Sequence, residues 1–258
     1  MSEHELDATA VARETVAVFD HQPRGLLSRL QHALHSTPAL VPLIVLVLSI
    51  AVFGTLLGSK FFSSFAILQQ VAIVGIVGSA QSLVILTAGI DLSVGAIMVL
   101  SSVIMGQFTF RYGLPPVVSI GIGLMVGTFV GFINGWLIAR IKLPPFIVTL
   151  GMWQIALASN FLYSGNETIR AQEIETQAPL LQFFGQSITI GGAVFTYGVI
   201  FFVLLVLLLA YVLRHTAWGR HVYAVGDDPD AAELSGVNTK RILISVYMLS
   251  GLICAFAG

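Results

Sequence analysis

The sequence predicts an all-α, polytopic membrane protein, in which apolar helices form a transmembrane bundle and a short helix lies in one of the loops. Of the 258 residues, 56% are apolar and only 10% are charged, whereas soluble domains contain about 25% charged residues. The mean hydropathy is +0.91. Such a chain cannot cover a soluble globule with polar groups, so its main solvent is lipid.

Seven apolar runs have lengths suited to crossing a hydrocarbon core of about 30 Å as helices. They cover residues 39–58, 66–88, 92–110, 117–139, 146–163, 193–213 and 242–258. Two proline pairs, Pro115-Pro116 and Pro144-Pro145, fall between runs, where they end one helix and admit the next. We therefore divide the chain into a polar tail, residues 1–38, and a membrane domain, residues 39–258. Within the tail, leucines share one helical face over residues 25–36, which favours an amphipathic surface helix over an irregular linker.

The basic residues favour a cytoplasmic N-terminus, because cytoplasmic loops are enriched in Lys and Arg. If each run crosses once, nine of the 12 Lys and Arg residues lie on the same side as the N-terminus. These nine are Arg13, Arg24, Arg29, Arg140, Lys142, Arg214, Arg220, Lys240 and Arg241. The remaining three, Lys60, Arg111 and Arg170, lie on the opposite side. The predicted location is thus a membrane crossed several times, with the N-terminus inside.

Several function classes are excluded by the residues present. The single cysteine, Cys254, excludes an intrachain disulfide and a Cys-based zinc site. The basic residues flank apolar runs and form no patch for nucleic acid. Residues 54–60, GTLLGSK, lack the adjacent Gly-Lys-Ser/Thr of a phosphate loop. We expect no catalytic set, no metal site, no cofactor and no ATP site in this chain.

Residues 89–93, Gly-Ile-Asp-Leu-Ser, interrupt a long apolar stretch. One interpretation is a tight turn in which Asp91 caps the following helix through its carboxylate. The other is a broken or re-entrant helix, because irregular backbone at membrane depth persists only where protein or water satisfies it. The sequence leaves both open.

Polar residues within the runs indicate a candidate translocation path. Each uncharged side chain is by default a hydrogen-bonding contact between helices. Together they would also suit a polyhydroxylated solute, which needs donors and acceptors, and a tryptophan could stack on a sugar face. The candidates are Gln81, Gly89, Asp91, Ser93, Asn134, Trp153, Gln154 and Asn160. By contrast, a stripe of glycines spaced by four indicates close helix packing, at Gly123, Gly127, Gly131 and Gly135.

The loop before the last run carries complete start and stop signals for a helix. Asp228 fits an N-cap, Pro229 fits the first helical position, and Gly236 fits the position after the helix. We predict a helix of about two turns over residues 228–235. It is either a connector or a rigid element that docks into a partner's groove.

Three long stretches carry a resemblance to a known family. They are LTAGIDLSVGAIM (residues 86–98), GFINGWLIARIKLPPFIVTLGM (residues 131–152) and YAVGDDPDAAELSGVNTKR (residues 223–241). The chain resembles the membrane-spanning permease subunits of bacterial ABC importers for monosaccharides, of the ribose, xylose and fructose type. Where many relatives have Gly-Asn-Asn or Gly-Gly-Asn before the proline, this chain has Gly226-Asp227-Asp228. Relatives typically continue further, so we expect more helices after Gly258.

The resemblance implies a permease homodimer in the bacterial inner membrane that imports a monosaccharide. A periplasmic sugar-binding protein would deliver the solute, and a cytoplasmic ABC ATPase subunit would hydrolyse the ATP. The helix at residues 228–235 would be the coupling helix, with Ala231 and Ala232 facing the groove of the ATPase. The implied coupling residues are Gly226, Asp227, Asp228, Pro229, Ala231, Ala232, Leu234, Ser235 and Gly236.

The resemblance leaves the identity of the sugar open. The alternative function is a secondary transporter of a small polar solute driven by an ion gradient. Such a transporter usually needs an ionisable residue within its spans, and only Asp91 approaches that role.

Overall fold

The computed structural model describes residues 37, 39–58, 65–190 and 193–258. It divides into two compact units, Met1–Ser63 and Ser64–Gly258, which are described separately. The predicted amphipathic helix at residues 25–36 lies outside the described residues, and the division into a tail and a membrane domain at residue 38 stays a prediction.

The first unit contains one described helix, α1, Leu40–Leu57. It carries no charged residue, and none of its side chains is buried within the chain. Its length and composition suit a membrane span.

The second unit contains nine α-helices, a 3₁₀ segment and a hairpin among its described residues. The helices of the membrane bundle are α2 (Phe65–Ile85), α3 (Val94–Phe110), α4 (Pro116–Trp136), α5 (Pro145–Ser164), α7 (Tyr197–His215) and α10 (Thr239–Ala257). The short helices are α6 (Ala171–Gln177), α8 (Ala217–Asp227) and α9 (Pro229–Leu234). A π-helical turn, Leu137–Ile141, extends α4, and the 3₁₀ segment Pro179–Gly185 follows α6. Strands β1 (Ser187–Ile190) and β2 (Ala193–Thr196) pair antiparallel.

The predicted spans correspond closely to these helices, with one difference in the sixth. The run at residues 193–213 begins as strand β2, and the helix starts only at Tyr197. Thr196 begins it, because the Thr196 hydroxyl accepts a hydrogen bond of 3.1 Å from the Val199 N–H. Hydropathy does not distinguish an apolar strand from an apolar helix, whereas the Gly-Gly pair between two β-rich segments is a typical hairpin signal.

Five described helical segments are long and apolar enough to cross a membrane. They are Leu40–Leu57, Pro116–Ile141, Pro145–Ser164, Tyr197–His215 and Thr239–Ala257. Two further apolar helical stretches are Val94–Phe110 and Gln70–Ile85, which is the part of α2 whose side chains the structure describes. Helices α2 and α3 end and begin at the irregular segment of residues 86–93, which confirms an interruption of the helix there.

Helix α10 lies against α4 through the predicted glycine stripe. A Cβ atom placed on Gly131 would overlap the carbonyl oxygen of Tyr247, and one on Gly135 would lie 2.8 Å from the Cα of Ile244. The carbonyl of Gly127 similarly approaches Gly251. Small residues at this spacing let two backbones approach closely, which is how helices pack in lipid. The packing role of the stripe is confirmed.

The connections of the second unit collect at two ends of the bundle. The α9 end contains residues 86–93, 137–144 and 216–238, and the hairpin end contains residues 111–115 and 165–196. Contacts support this grouping at both ends. At the α9 end, the Trp218 indole donates a 2.8 Å hydrogen bond to the Ser245 hydroxyl. At the hairpin end, the rings of Phe108 and Tyr163 stack with centroids 6.3 Å apart.

Candidate functional site

Helix α9 forms where the start and stop signals predict it. Asp228 is its N-cap, and its Oδ1 accepts hydrogen bonds from the backbone N–H groups of Asp230 (2.9 Å) and Ala231 (3.0 Å). Pro229 occupies the first turn, where its missing N–H costs nothing. The chain leaves the helix after Ser235 through Gly236, whose φ of +86° suits glycine. The local sequence therefore fixes a short, well-delimited helix.

The two faces of α9 differ, and one expectation about them is wrong. Ala231 is exposed, but Ala232 is only 5% exposed and packs into the core of its own chain. Ala232 therefore cannot face a partner's groove, because its surface is already covered. Leu234 is 90% exposed and is the most prominent apolar side chain of α9. Asp227, Asp228, Asp230 and Glu233 are also exposed.

Helix α8 is a positioning element that the sequence analysis missed. Thr216 caps it by accepting a 3.1 Å hydrogen bond from the Gly219 N–H. Val222 and Val225 are buried beneath it, and Trp218 packs against the same core. The apolar spacing of 218, 222 and 225 is typical of one helical face, and this signal could have revealed it. Because Asp227 ends α8 and Asp228 caps α9, the two helices are joined without a loop.

Residues 86–93 form a turn at residues 86–88, where Ala88 has a φ of +55°, followed by an irregular stretch. The exposure of the side chains alternates along the segment. Thr87, Gly89, Asp91 and Ser93 are buried, whereas the residues between them are exposed. Asp91 is 3% exposed, and its Oδ1 accepts hydrogen bonds from the Ser93 N–H (2.8 Å) and the Ser93 hydroxyl (2.6 Å). Ser93 occupies the N-cap position of α3, and no side chain caps that helix. The Asp91 carboxylate binds the N-cap residue itself and so fixes the turn before α3, whereas the capping interpretation expects it to accept from N–H groups of the first helical turn.

Side chains from three neighbouring helices surround this segment. Asn134 of α4 is fully buried, and its Nδ2 donates a 2.9 Å hydrogen bond to the Ser93 hydroxyl. The carbonyl oxygen of Ile90 lies 3.4 Å from the Thr149 hydroxyl of α5 and 3.5 Å from the Tyr247 hydroxyl of α10. Thr149 and Tyr247 were not among the predicted path residues. They are hydroxyl side chains within apolar runs, but sequence alone does not show which way they point.

Four of the eight candidate path residues are thus brought together, namely Gly89, Asp91, Ser93 and Asn134. Two acceptor atoms of this group, Asp91 Oδ2 and Asn134 Oδ1, are buried without a hydrogen-bond partner among the described residues. Gln81 and Asn160 also have buried oxygens without a partner in the described part of the chain. Trp153 is 39% exposed and Gln154 is exposed, so both lie on the outer face of α5.

The comparisons with known proteins give a consistent family. Residues 63–258 match the family described as branched-chain amino acid transport system / permease component. The fructose import permease protein FrcC of Rhizobium meliloti is 73% identical over 246 residues, which are 94% of this chain and 68% of that protein. The ribose import permease protein RbsC of Escherichia coli (strain K12) is 33% identical over 221 residues, 84% of this chain and 66% of that protein.

A third relative extends the range of sugars. The D-allose transport system permease protein AlsC of Escherichia coli (strain K12) is 32% identical over 218 residues, 83% of this chain and 64% of that protein. No solved structure matches this chain. The chain spans about two thirds of the length of these relatives. It is a multi-pass membrane protein and a transport component, and it belongs to the membrane-spanning permease subunits of bacterial ABC monosaccharide importers.

Proposed function

We propose that the chain carries a monosaccharide across the bacterial inner membrane with energy from ATP hydrolysed by a separate cytoplasmic ATPase subunit. The single observation that carries this proposal is α9, a capped helix that presents Leu234 at one end of an apolar bundle. The names of the relatives support a sugar as the solute, since they import fructose, ribose and D-allose. A periplasmic sugar-binding protein would deliver that sugar to the hairpin end.

The charge distribution supports a cytoplasmic position for the α9 end and for the N-terminus. Basic residues accumulate at the α9 end, and fewer lie at the hairpin end. Among the described residues, the α9 end has Arg140, Lys142, Arg214, Arg220, Lys240 and Arg241, whereas the hairpin end has Arg111 and Arg170.

The proposed path passes the polar group around residues 89–93. Asp91, Ser93 and Asn134 form a hydrogen-bonded chain, and two of their oxygens lack a partner among the described residues. Acceptors of this kind could bind the hydroxyl groups of a sugar. The proposed path also includes Gln81, Trp153, Gln154 and Asn160. For Trp153 and Gln154 to line it, a second permease copy would have to cover the outer face of α5, and we include a homodimer in the proposal.

The first test is co-purification of the full-length permease from detergent with its candidate ATPase. One sample carries the native loop, and the other has residues 226–238 replaced by a Gly-Ser linker of equal length. We expect a complex with the native loop and none with the replacement. As a matched control, replacing residues 165–177 at the hairpin end should leave the complex intact.

The opposite result has a clear meaning. If the native, folded protein binds no ATPase, the proposal of an ATP-driven importer fails. A transporter driven by an ion gradient then gains support, and Asp91 is the ionisable residue to study. If the complex forms, uptake of labelled fructose, ribose and allose with the cognate binding protein identifies the sugar. Native mass spectrometry of the same sample counts the permease copies.

A further inference from the structure

The last turn of α8 lies directly on the irregular segment at residues 86–93. A Cβ atom placed on Gly226 would overlap the carbonyl oxygen of Leu86, and it would lie 2.9 Å from the carbonyl carbon of Leu86 and 3.3 Å from the Cα of Thr87. Only glycine permits this approach of one backbone to another. The contact is therefore between main chains and does not depend on side-chain rotamers.

Gly226 is also rigidly connected to α9. It precedes Asp227, the last residue of α8, and Asp228, the N-cap of α9. Val222 and Val225 on one side of Gly226 and Ala232 on the other are all buried in the same core cluster. A displacement of α9 thus displaces Gly226 as well.

Away from Gly226, residues 86–93 contact α4, α5 and α10 at different distances. Within the segment, Asp91 Oδ1 accepts two hydrogen bonds from Ser93, of 2.6 and 2.8 Å. One hydrogen bond of 2.9 Å, from the Asn134 Nδ2 to the Ser93 hydroxyl, joins the segment to α4. The contacts from the Ile90 carbonyl to α5 and α10 measure 3.4 and 3.5 Å. These distances lie at the outer limit for a hydrogen bond, so both contacts can exchange at low cost.

We propose that residues 86–93 are the element that receives the movement of α9, with Gly226 as the point of contact, and that they pass the movement to α4, α5 and α10. The inference rests on the proposed function, in which an ATPase binds α9. A non-helical segment can shift without distorting a helix, and coupling needs a contiguous chain of packed groups with two arrangements. The hydrogen bond from Asn134 lets α4 move together with the segment, and the two longer contacts let α5 and α10 exchange their partners.

The test uses the complete importer, with the full-length permease, its ATPase and its binding protein in proteoliposomes. Gly226→Ala should retain the ATPase in co-purification but lower the number of sugar molecules imported per ATP hydrolysed at least tenfold. The matched control is Gly78→Ala in α2, where a Cβ atom meets nothing within 4 Å, and its ratio should equal that of the native protein. A native ratio for Gly226→Ala would overturn the inference.

A second measurement tests the inference even if Gly226→Ala does not fold. Both variants are made in a Cys254→Ser background. A spin label is attached at Ile90→Cys, where the native side chain is exposed, or at Leu162→Cys, which lies at the hairpin end and is also exposed. Binding of a non-hydrolysable ATP analogue should change the spectrum at position 90 at least threefold more than at position 162. No change at position 90 in an assembly that imports sugar would overturn the inference alone. Failure of the native chain to bind any ATPase would overturn the proposed function instead.

Discussion

Asp91 is a buried carboxylate whose two oxygens have different surroundings. Its Oδ1 accepts two hydrogen bonds from Ser93, whereas its Oδ2 has no partner among the described residues. Burial of a charge without a partner is unfavourable. The proposed path explains why Asp91 is kept there, because its unpartnered Oδ2 could accept a hydrogen bond from the solute.

We predict that Asp91→Asn preserves membrane insertion but lowers sugar uptake at least fivefold. Asparagine keeps an Oδ1 acceptor for Ser93, but it removes the charge and replaces the Oδ2 acceptor with an NH2 donor. Uptake by proteoliposomes measures the effect, and the melting temperature in detergent reports the fold.

Asp91→Ala is the matched comparison for this prediction. It removes both hydrogen bonds, each worth about 1.5–3 kcal/mol when one partner is charged, so its melting temperature should fall. If uptake by Asp91→Asn equals that of the native protein, Asp91 only stabilises the turn before α3 through Ser93, and the path uses neither its charge nor its Oδ2.

Gly131 provides a prediction about stability alone. A Cβ atom there would overlap the carbonyl oxygen of Tyr247, and overpacking costs about 1–3 kcal/mol. Gly131→Ala should therefore lower the melting temperature in detergent. Gly121→Ala, in the same helix but with nothing within 4 Å of its Cβ, should leave it unchanged or raise it. Equal melting temperatures for the two variants would contradict the close packing of α4 and α10.

At the scale of single residues, the sequence predicted side-chain chemistry better than side-chain surroundings. Asp228 as an N-cap depends on neighbours within three residues, so local reasoning was sufficient. Asp91 binds Ser93 instead of capping α3. The contact of Asn134 with Ser93 spans 41 positions. Local patterns contain no information about such a contact, and the same limit applies to Thr149 and Tyr247.

At the scale of elements, α9 combines a buried side and an exposed side within two turns. Ala231 faces outwards, and Ala232 faces the core of its own chain. The sequence could not predict which of the two alanines is buried, because two adjacent residues of the same type do not show which side of the helix faces the core.

We predict that Ala231→Arg leaves expression and melting temperature unchanged but reduces ATPase binding and sugar uptake at least tenfold. The bulky, charged side chain would prevent docking of the exposed face of α9. Pull-down with the ATPase and uptake by proteoliposomes measure the two effects.

Ala232→Arg serves as the comparison because it forces a charge into the core cluster. We expect low expression and a lowered melting temperature, which would separate a folding defect from a docking defect. Normal binding by Ala231→Arg would exclude the exposed face of α9 as the docking surface.

Helix α8 and the hairpin were not predicted from the sequence, and both were missed for the same physical reason. Hydropathy runs predict where lipid surrounds the chain, but α8 and the hairpin lie at the ends of the bundle, where other signals decide. For α8 the signal is an apolar spacing of four and three residues, and for the hairpin it is a Gly-Gly pair between β-branched residues. Residues 89–93 were predicted as an interruption, because Gly89 and Asp91 are unfavourable in a continuous apolar helix, and the structure extends the irregular segment to residue 86.

At the scale of the whole molecule, the two ends of the bundle have different chemistry. The α9 end has most of the described basic residues and the exposed face of α9, and the hairpin end has α6, the 3₁₀ segment and the strands. The proposed function requires that the first end faces the cytoplasm and the second faces the binding protein. The assignment of sides rests on charge, and accessibility from each side of the membrane tests it directly.

We predict opposite labelling of two exposed positions by a membrane-impermeant maleimide, Glu175→Cys in α6 and Glu233→Cys in α9. Both variants are made in a Cys254→Ser background, although Cys254 is buried and should react slowly in any case. In intact spheroplasts, the Glu175→Cys variant should react and the Glu233→Cys variant should react only after permeabilisation. In inverted membrane vesicles the order should reverse. Reaction of the Glu233→Cys variant in sealed spheroplasts would place α9 on the periplasmic side, where no ATPase could reach it, and the coupling proposal would fail together with the predicted orientation.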